Sequence, residues 1–123
     1  MTSRAPYDPA LNPVLKHRYK NTCSLLSRVL PAPANILDIG MPNPLGKHLQ
    51  TLGYSVLNTE GDLDAHPELA STSADAVTAF EVLEHLVSPL PLLQAITAPK
   101  LIATVPLRLW FAPAYRSKSD LWN

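Results

Sequence analysis

The sequence predicts an α/β fold: a doubly wound, mostly parallel sheet with helices on both faces. Two observations carry this. Short apolar runs recur at 36–40, 54–59, 75–80 and 100–105, and stretches with helical spacing lie between them. A helix joining two such strands is a βαβ unit, which makes the strands parallel, and an alternating order of strands and helices is the signature of a doubly wound sheet. With 123 residues the chain has the size of one domain, with a single core.

The first element begins at Val14. Leu15, Tyr19, Cys23, Leu26 and Leu30 recur at spacings of three and four, with Lys16, Arg18, Lys20 and Arg28 between them, which predicts an amphipathic helix ended by Pro31 and Pro33. Residues 1–13 hold three prolines before that and predict an extended lead-in. Ile36-Leu37-Asp38-Ile39-Gly40 then predicts a strand buried on both faces. After a loop, Lys47 to Leu52 predicts a helix that buries Leu45, Leu49 and Leu52 and stops at Gly53. Tyr54 to Thr59 predicts the second strand, ending on Glu60.

Residues 61–74 are polar and short, with room for a loop and one turn but not for another helix and strand. Asp75 to Phe80 resumes a strand, Glu81 to Leu86 a short helix, and Pro91 to Thr97 a second helix with proline in its first turn. Lys100 to Val105 predicts the last strand, closing the core at Pro106. Residues 107–123 hold both tryptophans, Arg108, Arg116 and Lys118 without a clear period, and predict an irregular tail.

Ten basic and ten acidic residues give a formal net charge of zero, so no long-range field favours nucleic acid or an anionic membrane. No apolar run approaches the roughly 20 residues needed to span a bilayer. The one cysteine, Cys23, cannot form an internal disulfide, and no leader pattern opens the sequence, which together predict a reducing, cytoplasmic setting.

In a doubly wound sheet, ligands bind outside the carboxyl ends of the strands, where the strand order reverses. The candidate residues all sit there: the loop from Asp38 to Gly46, Glu60, and Phe80 with Glu81. Gly40 to Lys47 comes near a phosphate-binding loop, but five residues rather than four separate Gly40 from Gly46, and His48 stands where a magnesium-binding hydroxyl would be needed. No nucleophile with a partnered base is visible, since Cys23, Ser24 and Ser27 lie on the first helix.

Three pieces taken together, Ile-Leu-Asp-Ile-Gly at 36–40, the acid Glu60, and Asp-Ala-Val-Thr-Ala-Phe-Glu-Val-Leu-Glu-His-Leu at 75–86, resemble the class I S-adenosylmethionine-dependent methyltransferases. The resemblance spans Ile36 to Pro106 and implies a Rossmann-like sheet, incomplete on its C-terminal side. It implies S-adenosyl-L-methionine as cofactor, held by Asp38, Gly40, Met41, Glu60, Phe80 and Glu81, and a methyl acceptor of unspecified class. In that family the first loop reads Asp-x-Gly-x-Gly-x-Gly; here Pro42 and Pro44 replace the second and third glycines, and proline offers no amide donor. Glu60 matches the acid that takes both ribose hydroxyls, a task suited to an acceptor-only carboxylate; it also fits an ordinary solvated loop acid. Phe80 matches a residue lining the cofactor and fits a core position equally. Asp62 and Asp64 are the nearest acids for the adenine side.

Glu81 and His85 are the candidate general bases, and Glu81, Glu84 and His85 are similar to a Glu-x-x-Glu-His set that holds a divalent ion in some branches of the family. Two functions are thus expected in competition: a methyltransferase, or a degenerate methyltransferase-like domain serving as a binding or scaffold module. An uncovered sheet edge would also invite homo-oligomerisation.

Overall fold

The computed structural model describes residues 13–105, and the expected lead-in and tail, together with the side chain of Leu15, lie outside the described residues. Helix α1 spans Pro13–Val29, strand β1 Asn35–Asp38, helix α2 Pro44–Thr51 and strand β2 Ser55–Asn58. One 3-10 turn follows at Pro67–Ala70, then strand β3 at Ala76–Phe80, a second 3-10 turn at Leu83–His85, helix α3 at Pro89–Ala95 and strand β4 at Lys100–Thr104. The four strands form one all-parallel sheet in the order β2-β1-β3-β4. This is the predicted doubly wound α/β architecture. No described helix is long and apolar enough to cross a membrane.

Strand alternation sorts the core into two layers. Ile36, Val56, Ala76 and Ile102 face Leu26 and Leu30 of α1 and Leu45 and Leu49 of α2. Val77 and Ala79, with Ile39, face Ala70 of the first 3-10 turn and Leu92 of α3 on the opposite side. Each fully buried Leu or Ile contributes about 1.5–3 kcal/mol relative to exposure, so these two clusters are the main source of stability. Tyr54 joins the first layer, its hydroxyl donating to the Leu30 carbonyl at 2.5 Å and so satisfying a polar atom at the C-terminal end of α1. Leu57, on the other face of β2, is 74% exposed, and among the described residues no helix covers β2 on that side. The compressed segment 61–74, with its one turn, accounts for the missing cover.

Several boundaries differ from expectation. Helix α2 begins at Pro44 rather than Lys47, because Asn43 caps it and proline is preorganised for a first helical position. It ends at Thr51, leaving Leu52 as the C-cap, 47% exposed rather than buried, before Gly53 at φ +100°. The expected helix over Glu81 to Leu86 is only the turn Leu83–His85, since Glu81 adopts φ +58° and interrupts helical geometry. Helix α3 starts at Pro89, two residues before Pro91.

Helix α1 runs antiparallel to the strands. The Lys100 ammonium at the start of β4 donates to the Val29 carbonyl, while Arg18, a few turns earlier on α1, meets Glu81 at the end of β3. The chain leaves β1 through α2 on one face and returns from β2 to β3 by the opposite face. The reversal of winding therefore falls between β1 and β3, where the two loops of interest emerge.

Candidate functional site

Asp38 ends β1 and is 1% exposed. Its Oδ1 accepts from the Thr78 hydroxyl at 2.7 Å, and its Oδ2 accepts from Asn43 Nδ2 at 2.8 Å and Asn58 Nδ2 at 3.1 Å. Burial pushes the Asp38 carboxyl above its ordinary value, and the bonds from Thr78, Asn43 and Asn58 oppose that rise. The carboxylate is thus turned inward, tying β1 to β2 and β3 and anchoring the loop that follows. It shapes this end of the sheet from beneath.

Asn43 works in both directions. Its Nδ2 holds Asp38 and reaches the Met41 carbonyl at 3.1 Å, while its Oδ1 accepts from the Gly46 amide at 2.9 Å. One side chain therefore fixes the path of the loop and caps α2, leaving Pro42 and Pro44 with no hydrogen bond to donate and none required. Asn58 adds a bond to the Gly40 carbonyl at 3.0 Å, and the Gly40 amide donates to Thr59 Oγ1 at 2.8 Å. Gly40 needs its φ of +103° for this turn. The loop is closed by its own side chains before any ligand arrives.

Two predicted residues remain open. Met41 is 81% exposed at the tip of the loop. Glu60, one residue beyond the Thr59 contact with Gly40, is exposed and makes no hydrogen bond among the described residues. The loop after β3 approaches from the other side: a Cβ built on Gly40 would lie 3.6 Å from Val82 Cγ2. Gly40, Glu60 and the 80–82 segment consequently share the carboxyl end of the sheet around the switch point.

Phe80 is half-buried against the core layer formed with α1 and α2. Glu81 is turned toward α1, where its Oε1 pairs with Arg18 Nη1 at 2.8 Å, and its backbone amide donates to the Thr104 carbonyl at 3.0 Å. Burial raises the Glu81 carboxyl above its ordinary value, Arg18 counteracts this, and the nearby Glu84 adds to the rise. Glu81 Oε2 and Glu84 Oε1 are both buried without a hydrogen-bond partner. His85 is exposed. Among the described residues no three His, Cys, Asp or Glu side chains gather as a metal-holding group, so Glu81, Glu84 and His85 are not brought together in that way.

The acids of the 61–74 segment have structural partners. Asp62 Oδ1 accepts from the amides of Asp64 and Ala65, and the Asp64 carboxylate accepts from the amides of Val87 and Ser88 at 3.1 and 3.0 Å, bracing the entry to α3. They hold loops rather than standing open.

Sequence reasoning missed Asn43, Asn58, Thr78 and Thr59, which carry the network, and the role of Arg18. Asn43 could have been found, because Asn followed by Pro ahead of Leu45 and Leu49 is an N-terminal helix signal. The others could not, since a polar residue at a strand end acquires its partner only when the register sets Asp38 opposite Asn58 and Thr78. No protein-family model, curated protein or solved structure matches this chain.

Proposed function

We propose that this chain is an S-adenosylmethionine-dependent methyltransferase that holds its cofactor over the switch point between β1 and β3. The observation that carries the reading is Glu60: an exposed carboxylate, free of hydrogen bonds among the described residues, one position past the residue that fixes the Gly40 turn. Such a group can take two hydroxyl donors at once, as a ribose requires. Gly40 and Met41 provide a side-chain-poor turn and an exposed thioether beside it, and Asp38 keeps that turn in place from within. The cofactor, when bound, supplies a methyl group on an activated sulfonium, so the protein's share is to position the acceptor and exclude water. Glu81 and His85 are the groups available to take a proton from an acceptor. The acceptor is a substrate of unspecified class, the setting is cytoplasmic, and the outer edges of β2 and β4, unpaired among the described residues, suit homo-oligomerisation.

The test is calorimetric titration with S-adenosylhomocysteine, on the wild type and on Glu60→Ala. Saturable binding weakened about tenfold or more in the variant is expected, because two charge-assisted hydrogen bonds are lost. Absence of heat at high micromolar ligand in the wild type rejects the enzyme reading. The competing function, a degenerate methyltransferase-like scaffold, draws on a separate observation: the Gly40 amide and both ends of Asn43 are consumed within the protein, and Pro42 and Pro44 add no donors.

A further inference from the structure

Beside the switch point lies an open cleft of about 340 Å³ between the N-terminal half of α1 and the ends of β3 and β4. Its polar lining is His17, Arg18, Asn21, Thr22, Glu81 and Thr104. Thr22 is only 5% exposed, yet its hydroxyl makes no hydrogen bond to any described residue, although it lines this cleft. The hydroxyl itself is not among the fully buried unpartnered atoms, so it opens onto the cleft, where a ligand can reach it. Glu81 is incompletely paired. Arg18 contacts it through one oxygen only, where a guanidinium and a carboxylate can form two parallel bonds, and the other oxygen is left bare.

Arg18 is the one Lys or Arg among the lining residues and holds Glu81 by a single oxygen, while Glu84 and His85, outside the lining, act on Glu81 in opposite directions. Among the polar lining side chains, the Glu81 carboxylate, the Thr22 and Thr104 hydroxyls and the Asn21 amide oxygen can accept a hydrogen bond, whereas His17 Nε2 is already taken by Asn21 Nδ2 at 3.1 Å. An ammonium group is donor-only, has three donors and carries a positive charge that can pair with Glu81. Val105, 54% exposed at the rim, offers apolar surface for a short alkyl chain.

We propose that this cleft is a binding site for a small primary amine, whose ammonium takes the place of the Arg18 guanidinium on Glu81 and bonds the Thr22 hydroxyl. Arg18 is the resident stand-in for that cation. Its side chain is 43% exposed and tethered by a single contact, so it can swing outward when the ligand enters. Glu81 is held ready by its backbone: the bond from its amide to the Thr104 carbonyl and a φ of +58° turn the side chain toward α1. The proposal needs no cofactor and stands or falls separately from the methyltransferase reading.

The experiment is a two-dimensional amide NMR titration of the full chain, without cofactor, using three isosteric probes: propylamine, 1-propanol and propionate. Propylamine is expected to give saturable shifts centred on Thr22, Glu81 and Thr104, and the other two none. Arg18→Ala should tighten propylamine binding about fivefold by removing a competing, partly exposed ion pair. Glu81→Gln should weaken it about tenfold or more, and Thr22→Val about threefold. Equal shifts from 1-propanol or propionate overturn the proposal, as does wild-type affinity in Glu81→Gln. If Glu81→Gln fails to fold, Thr22→Val decides alone, since it leaves every charge in place; unchanged amine affinity in that variant overturns the site.

Discussion

Replacing Asp38 tests the network that organises the site. In Asp38→Ala the Thr78 hydroxyl, on a fully buried residue, loses its acceptor at 2.7 Å, and orphaning such a group costs about 1–3 kcal/mol. Asn43 retains the Met41 carbonyl, and Asn58 retains the carbonyls of Asp38 and Gly40, so each of these losses is nearer about 0.5–1 kcal/mol. Removing a buried carboxylate returns part of its desolvation cost, which leaves a net destabilisation of about 2–4 kcal/mol. With a urea slope of about 2 kcal/mol/M, the unfolding midpoint followed by circular dichroism should fall by about 1–2 M. Asp38→Asn behaves differently. Its amide oxygen can sit where Oδ2 accepts from Asn43 and Asn58, and its NH₂ can donate to the Thr78 oxygen once that hydroxyl rotates, so the change should stay within about 1 kcal/mol. The reasoning is refuted if Asp38→Ala unfolds at the wild-type midpoint, or if Asp38→Asn is as damaging as the alanine variant.

Three further outcomes follow from the same geometry. Asn43→Ala removes the α2 cap and a donor to Asp38, and thermal or urea unfolding should show a loss of about 1–2 kcal/mol. Glu81→Gly relieves a left-handed backbone worth about 1 kcal/mol and forfeits a partly exposed ion pair worth less, so it should be neutral or more stable by about 0.5 kcal/mol in the same assay. Burial raises the Asp38 and Glu81 carboxyls above their ordinary 3.8 and 4.5, so the folded state holds those protons more tightly than the unfolded chain. Their stabilisation is complete below those ordinary values and is lost as pH rises through the raised ones; Asp38→Asn, which cannot ionise, should lose less stability than wild type as pH rises above the ordinary carboxyl value. A steeper loss in the variant contradicts that sign.

The architecture was legible because both of its signals are local. Four short apolar runs with helical spacing between them predict a parallel sheet whatever the details, and the structure shows one. Leu26 and Leu49 follow directly from helical periodicity. Boundaries were read less well where one residue outweighed the pattern. Asn43 and Pro44 started α2 early, and the left-handed Glu81 reduced a helix to a turn. The site was readable only as positions. That Asp38, Glu60 and Glu81 lie at or just past the carboxyl ends of strands follows from the sequence; that Asp38 faces inward, Glu60 stands open and Glu81 pairs with α1 depends on register and on a helix 63 residues earlier in the case of Arg18 and Glu81.

The loop between β1 and α2 has a thermodynamic consequence. Pro42 and Pro44 fix two backbone angles, and Asn43 locks the residue between them, so the conformational entropy of this loop is surrendered during folding. A glycine-rich loop would surrender it when ligand binds. Whatever docks against Gly40 therefore meets a surface already in its final shape, and association there should proceed in one kinetic phase, without the slow step of a loop closing over its ligand.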